Sequence, residues 1–283
     1  MKFSIFTAST PEWTPAEAAP ILAAQGWDGI EWRITDQNDA AAPGFWAGNR
    51  ATWPVATLEQ DLPEIARITT SAGLEYSGLG GYARCDDHDT VERMLAATAV
   101  LGARQVRVTV PGVPEAGDYP SAFAAARADF EWVAQRAAAH GVKALVELHH
   151  RTLTASASAA LRLIDGLDPA HVGVIHDLGN LVIEGHENHL WAFQMLGPYL
   201  AHIHVKNVEW LPEPAANADG TVRWAEHWAP LETGQADVRG YFDALRQHGW
   251  DGWVTCEDFS TVLPLEERSR ANLAFLKSAS APR

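Results

Sequence analysis

The stretch VGVIHDLGNLVIEGHEN, residues 172–188, decides the fold. A β-branched run, Val172 to Ile175, leads straight into His176-Asp177, and Gly179-Asn180 then turns the chain away. A strand that ends in a carboxylate at a glycine turn presents that carboxylate above the sheet. Three further strand-like runs end in the same manner. KALVELHH (143–150) carries Glu147 and His149 at its end, AHIHVKN (201–207) carries His204, and GWVTCED (252–258) closes on Glu257. Glu147, Asp177, His204 and Glu257 thus sit at the C-terminal ends of four successive strands, a mixed nitrogen and oxygen set suited to one divalent cation.

Outward from these four, the same alternation covers the chain. KFSIFT is a first strand, and Thr14-Pro15 caps a helix that stops near Gly26. GIEWR, from Gly29, is a second strand whose Glu31 and Arg33 share one face, opposite Trp32. Residues 34–56 read as a long loop with Trp46 and Trp53. The run LEQDLPEIARITTSAG is a helix, LEYSGL a third strand, DTVERMLAATAVLGA a helix and RQVRVTV a fourth strand. A long helix over about 120–140 precedes KALVELHH. SASAALRLIDGL begins a helix before VGVIHD, and another covers about 189–200. A long loop and the helix DVRGYFDALRQHG separate strands seven and eight, and LPLEERSRANLAFLKS closes the chain. Eight short apolar strands alternating with helices predict an α/β fold, a (β/α)₈ TIM barrel, as a single domain over residues 1–283. A doubly wound open sheet is the rival, and no glycine-rich nucleotide loop supports it.

Composition bounds the function. A 283-residue chain with 47% hydrophobic and 20% charged residues is ordinary for a globular protein. The formal charge of −15 argues against nucleic acid as a partner, because polyanion binding needs a positive footprint. Cys85 and Cys256 have no metal-like spacing and no disulfide framework. The N-terminus lacks a signal-peptide pattern and no apolar run reaches a membrane span, so a cytoplasmic protein without a membrane partner is expected.

The motifs VELHH, HDLGN, HIHVKN and TCED resemble those of the xylose isomerase-like superfamily of sugar isomerases and epimerases, over essentially the whole chain. The resemblance implies that Glu147, Asp177, His204 and Glu257 bind one catalytic divalent ion, Mn²⁺ in the first place, with Mg²⁺, Co²⁺ or Zn²⁺ as alternatives. It also implies that Glu147 and Glu257 double as acid/base groups. The His-x-His-x-Lys pattern makes His204 the ligand and leaves His202 one layer deeper. Three positions depart from the family pattern: Asn207 follows the strand-seven Lys where Asp is common, Asn180 stands where ketose 3-epimerases have His, and Trp210 where they have Arg.

Around the expected ion, Glu31 and Arg107 point inward and could bind sugar hydroxyls or form a buried pair. Lys206 could stabilise an enolate oxygen or face solvent. Trp46 and Trp53, with Trp210, Trp224 and Trp228, supply aromatic faces for stacking on a sugar, and packing claims some of the 12 tryptophans. His149, two residues beyond Glu147, is placed as a third acid/base group or as an orienting partner of Glu147. The expected function is a metal-dependent isomerase or epimerase of a small sugar without phosphate, working by proton abstraction beside a carbonyl. The alternatives are a lyase on the same site (a sugar or inosose dehydratase, or a 3-keto-glycoside deglycosidase) and a non-catalytic sugar-binding barrel. A homo-oligomer is compatible with the sequence.

Overall fold

A computed structural model of the protein describes residues 1–112 and 118–282. The chain runs β1 (Lys2–Phe6), α1 (Pro15–Gln25), β2 (Gly29–Ile34), β3 (Thr52–Trp53), α2 (Leu58–Ser71), β4 (Glu75–Gly81), α3 (His88–Val100), β5 (Gln105–Arg107) and α4 (Tyr119–His140). It continues through β6 (Lys143–Glu147), α5 (Ala157–Ile164), β7 (Val172–Asp177), α6 (Leu178–Ile183), α7 (His189–Leu196), β8 (Leu200–Val205), β9 (Asn207–Pro212), β10 (Trp224–Ala229), α8 (Val238–His248), β11 (Trp253–Cys256) and α9 (Leu265–Ser280). Among the described residues, β1, β2, β4, β5, β6, β7, β8 and β11 pair in parallel in chain order. The β1–β2 and β1–β11 pairings close the circle. The fold is therefore the (β/α)₈ barrel, not an open sheet.

Local chemistry sets these elements. A reciprocal capping box between Thr14 and Glu17 starts α1, and left-handed Gly26 ends it. The Asp177 side chain accepts from the Asn180 backbone N–H, so the carboxylate that ends β7 also caps the short helix α6. The expected 34–56 loop contains β3, which continues pairing along β2 past the end of β1. The expected helix over 189–200 stops at Leu196, where Gly197-Pro198 interrupts it. The long loop after the seventh barrel strand is in fact an antiparallel hairpin, β9–β10.

Alternation along the strands separates two environments. Trp32 on β2 points out to α2, where its indole N–H donates to Thr69. Its neighbours Glu31 and Arg33 face inward and are buried. The barrel interior is polar beneath the site. Ser4, Thr255, Ser77, Gln105 and His202 form one hydrogen-bonded layer, with Ser4–Thr255 at 2.6 Å and Gln105–His202 at 2.9 Å. Each of these side chains has a partner, which offsets the cost of burying it. No helix of the described residues is long and apolar enough to cross a membrane.

Candidate active site

The C-terminal ends of β6, β7, β8 and β11 bring Glu147, Asp177, His204 and Glu257 together, with one donor atom of each within 4.8 Å of the others. All four are buried. His204 Nε2 lies 3.1 Å from Glu31 Oε2, so its N–H is spent on that carboxylate. Nδ1 is left facing Glu257 Oε1 at 3.2 Å, Glu147 Oε1 at 3.5 Å and Asp177 Oδ2 at 3.8 Å. This nitrogen has no hydrogen-bond partner among the described residues. A buried nitrogen aimed at three carboxylate oxygens calls for a positive charge between them, a proton on Nδ1 or a metal ion bound to it.

The charges point to a divalent one. Glu31, Glu147, Asp177 and Glu257 set four negative charges against the two of Arg107 and Lys206, leaving two uncompensated when His204 is neutral. The donor set therefore fits a single M²⁺ ion, with Glu31 orienting His204 from behind as carboxylates commonly do for metal-bound imidazoles. Glu31, His202 and His204 also cluster, but both Nε2 atoms face Glu31 as donors and His202 Nδ1 accepts from Gln105, so neither ring offers a free nitrogen to an ion there.

Lys206, two residues after His204, reaches into the set. Its ammonium lies 2.6 Å from Asp177, 2.5 Å from Glu257 and 3.8 Å from Glu147. Gly179 makes this approach possible, since a Cβ there would stand 2.3 Å from Lys206 Cγ. Burial opposes charge on Lys206, but the three carboxylates outweigh it and hold its pKa well above the ordinary lysine value. Glu257 is likewise held at about 2, because Lys206 and His204 outweigh its burial. Glu147 is held well below the usual carboxylate range, chiefly by Arg107 at 2.6 Å against the cost of burial. Asp177 goes the other way. Burial, reinforced by Glu257 and Glu147 and only partly offset by Lys206, pushes it up to about 7. Burial also disfavours the His204 imidazolium, yet Glu257 and Glu31 raise its pKa well above that of free histidine.

In the metal-free protein both Asp177 and His204 must release a proton to become ligands. Metal affinity should therefore fall as the pH drops through 7 and rise toward pH 8. Calorimetric titration with Mn²⁺ at pH 6, 7 and 8 should show weakening of at least about tenfold from pH 8 to 6. A flat profile would contradict this account of the ligands.

Above the ligands opens a cavity of about 420 Å³. Only Glu147 and Glu257 of the four reach its lining, and Asp177 and His204 lie behind them. Arg107, Lys206, His149, His150 and Asn180 complete a polar floor, and Phe6, Trp46, Tyr82, Trp228 and Phe259 form an aromatic wall. Phe259 is the hub of that wall, with ring centroids 4.7 Å from Trp46 and 5.3 Å from Trp228.

The expected substrate contacts divide. Arg107, Lys206 and Trp46 line the cavity. Glu31 does not; it is engaged with His202 and His204 below the ligands. Trp53 is buried edge-on against Trp32, away from the cavity. The departures from the family pattern have local roles. Asn207 ties β9 to the 231–236 loop, and Trp210 donates its indole N–H to Val182 O. Sequence reasoning passed over His150, Tyr82, Phe6 and Phe259. The doubled histidine at 149–150 and the aromatic two residues after Glu257 were the available signals.

The chain matches the family described as xylose isomerase-like TIM barrel over residues 20–279. It is similar to an inosose dehydratase of Lacticaseibacillus casei, 26% identical over 132 residues, which span 45% of this chain and 44% of that protein, less than half its length. Among solved structures it is similar to 3-keto-D-glucoside 4-epimerase from E. coli, with a TM-score of 0.74, 18% identity, and coverage of 98% of this chain and 99% of that one. It is equally similar to the IolI protein with a bound zinc atom, with a TM-score of 0.74, 14% identity, and coverage of 99% and 98%. At such identities the structures speak for the fold, while the family match takes in all the barrel strands that carry the four ligands, and on it the chain belongs to the xylose isomerase-like TIM barrel family.

Proposed function

We propose that the protein is a divalent-metal-dependent sugar isomerase or epimerase acting on a sugar or sugar derivative without phosphate. One observation carries this reading. Of four ligand-competent side chains only Glu147 and Glu257 face the cavity, and both are held ionised by basic neighbours. Bound ion would polarise a substrate carbonyl and acidify the adjacent C–H. One glutamate then takes that proton as the C–H electron pair moves into the enolate. A solvent proton relayed through the other glutamate to the opposite face, with the first glutamate giving its proton up to solvent, inverts the centre; return of the first glutamate's proton to the neighbouring carbon, with a hydroxyl proton passing between the two oxygens, moves the carbonyl. Arg107 and Asn180 fix Glu147, at 2.6 and 3.4 Å, and Lys206 fixes Glu257 at 2.5 Å. The aromatic wall offers faces for sugar C–H groups and excludes water.

A lyase on the same site is the second reading, supported by the similarity to an inosose dehydratase. Loss of a β-hydroxyl would then replace reprotonation. Incubating Mn²⁺-loaded protein in D₂O with free, phosphorylated and 3-keto sugars separates the two. Deuterium at an inverted or α-carbon marks isomerisation or epimerisation, and loss of water marks elimination. A panel with no turnover and no exchange would leave a sugar-binding barrel.

Phosphorylated sugars should be the poorer substrates. The segment after β8, VEWLPEP, runs along strand β9 and the one after β11 reads DFSTVLP, and neither is the glycine-rich phosphate loop of other barrels. Tighter use of a sugar phosphate than of its free sugar would contradict this.

His149 is the third candidate acid/base group. Its ring lines the cavity, and burial lowers its pKa, so the imidazole is neutral at pH 7. In this reading His149→Gln keeps its metal and loses on the order of 10²–10⁴-fold in turnover. Were it only an orienting group, metal affinity would fall roughly 10–100-fold and excess metal would restore activity. Full activity at saturating metal would remove His149 from the reaction.

A further inference from the structure

The pair His149–His150 is set in an unusual way for consecutive residues. Neighbours on a strand point to opposite faces, yet both of these rings line the same cavity and stack, with centroids 4.4 Å apart and planes 23° apart. The strand has ended at Glu147, and Arg151 adopts φ of +60°, a conformation that non-glycine residues seldom take. The Arg151 turn is anchored at both ends. Its N–H donates to Glu184 at 2.6 Å and its guanidinium to Glu226 at 2.5 Å. Strain held in this manner beside a cavity points to a use for the rings it presents.

The hydrogen bonds fix the tautomer of each ring. His149 Nδ1 lies 2.8 Å from the backbone oxygen of His150, which can only accept, so Nδ1 carries the proton. His150 Nδ1 lies 2.9 Å from Asn180 Oδ1. The Asn180 amide cannot be turned over, because its nitrogen donates to Leu148 O at 3.0 Å and reaches Glu147 at 3.4 Å, and both are acceptors. His150 therefore also carries its proton on Nδ1. In a neutral ring the other nitrogen is a bare acceptor. Two rings stacked at 4.4 Å in a cavity that Arg107 and Lys206 also line are disfavoured from carrying charge, which leaves each Nε2 an acceptor.

We propose that His149 and His150, oriented by the His150 carbonyl and by Asn180, form an acceptor-only edge of the cavity that binds two neighbouring hydroxyl groups of the substrate. Two neighbouring lone pairs receive O–H donors and repel the oxygens of a carboxylate or phosphate placed against them, so the edge selects a hydroxylated segment by attraction and rejects an anionic one. This rests on the sugar reading above and deepens it: the substrate is a polyhydroxy compound whose hydroxyls lie on the side of β6. Asn180 is a positioning residue. It couples the edge to Glu147 through one amide, so the hydroxyl-binding rings and the proton-transferring carboxylate are placed together.

The test is a long-range ¹H–¹⁵N correlation spectrum of Mg²⁺-loaded protein labelled at histidine, at pH 7.5, with His149→Gln and His150→Gln giving the assignments. Both rings should appear as neutral Nδ1–H tautomers. In Asn180→Ala the His150 ring should move toward the Nε2–H form that free histidine prefers, while His149 stays unchanged. D-fructose, as the polyhydroxy probe, should shift both Nε2 signals in the direction an imine nitrogen takes on accepting a hydrogen bond. His150→Ala should weaken its binding roughly 3–10-fold, the share of one hydrogen bond. An Nε2–H or doubly protonated His150 in the unaltered protein overturns the proposal. So does D-fructose that perturbs the Trp46 and Trp228 indoles and leaves both Nε2 signals in place, or D-fructose that perturbs neither. If the Nε2 signals shift but no sugar in the panel is turned over, the isomerase reading fails and the hydroxyl-binding edge stands.

Discussion

Replacing Glu257 by Gln should reduce turnover by on the order of 10²–10⁴-fold, because a neutral amide cannot take a proton from carbon. The size of the loss follows from how Glu257 is held. Its Oε2 is 2.5 Å from Lys206, its Oε1 is 3.2 Å from His204 Nδ1, and it lines the cavity. Gln keeps an oxygen for the ion, so the variant should still bind Mn²⁺, though less tightly. The same change at Glu147 should cost as much in turnover and more in stability, since it leaves the buried Arg107 guanidinium beside an amide. A comparison of exchange and turnover distinguishes the two carboxylates. If Glu257 removes the proton and Glu147 returns it, Glu257→Gln abolishes substrate deuteration in D₂O, whereas Glu147→Gln retains wash-out at the carbon that Glu257 deprotonates. Near-normal kcat in metal-saturated Glu257→Gln would remove this residue from the proposed reaction.

The legibility of the site in the sequence had a physical basis and a physical limit. Asp177 and Glu257 could be read because each ends an apolar strand, and a barrel delivers strand ends to one face whatever their separation along the chain. The same logic gave Glu31 and Arg107 one facing, and both are buried, whereas it left Lys206 open between the site and solvent. What period-2 alternation does not give is depth along the barrel axis. Glu31 faces inward but sits low enough to meet His202 and His204 instead of the cavity. Trp53 was ambiguous for a related reason: a tryptophan in a long loop can cover a cavity or cover the core, and β3 pairing with β2 turns it toward Trp32. Contacts made after a strand has ended were illegible too. The side-by-side placement of His149 and His150 depends on the left-handed Arg151, and no rule of alternation foresees it.

Electrostatics links these placements to the next result. Arg107 is tied to Glu147 by one nitrogen and to Gly81 O by another, with its guanidinium over Tyr82 at 4.3 Å, so it belongs to the cavity wall as much as to the ligand set. Lys206 differs, because it stands among the oxygens that would hold the ion. Lys206 and an ion held by these ligands would therefore compete for the carboxylates of Asp177 and Glu257.

Lys206→Met should accordingly destabilise the metal-free protein strongly and the metal-loaded protein little. Removing one partner of a buried ion pair typically costs about 3–5 kcal/mol, because the remaining charge is left without compensation. Here two carboxylates within 2.6 Å lose their cation together, in a cluster that already carries an excess of negative charge. For a chain of this size that loss corresponds to a Tm lower by on the order of 10 °C in the presence of chelator. A divalent ion supplies the missing positive charge, so saturating Mn²⁺ should raise the Tm of Lys206→Met by more than it raises that of the unaltered protein. Its Mn²⁺ affinity should also increase, since no ammonium has to be displaced. Arg107→Met is the control: it removes a buried charge that also packs against Tyr82 and Phe6, which an ion at the ligands does not replace, and metal should rescue it less. Differential scanning of the three proteins with EDTA and with Mn²⁺ measures all of this. Equal metal-induced shifts in Lys206→Met and the unaltered protein would show that Lys206 does not compete with the ion, and the account of Lys206 as a stand-in cation would have to be abandoned.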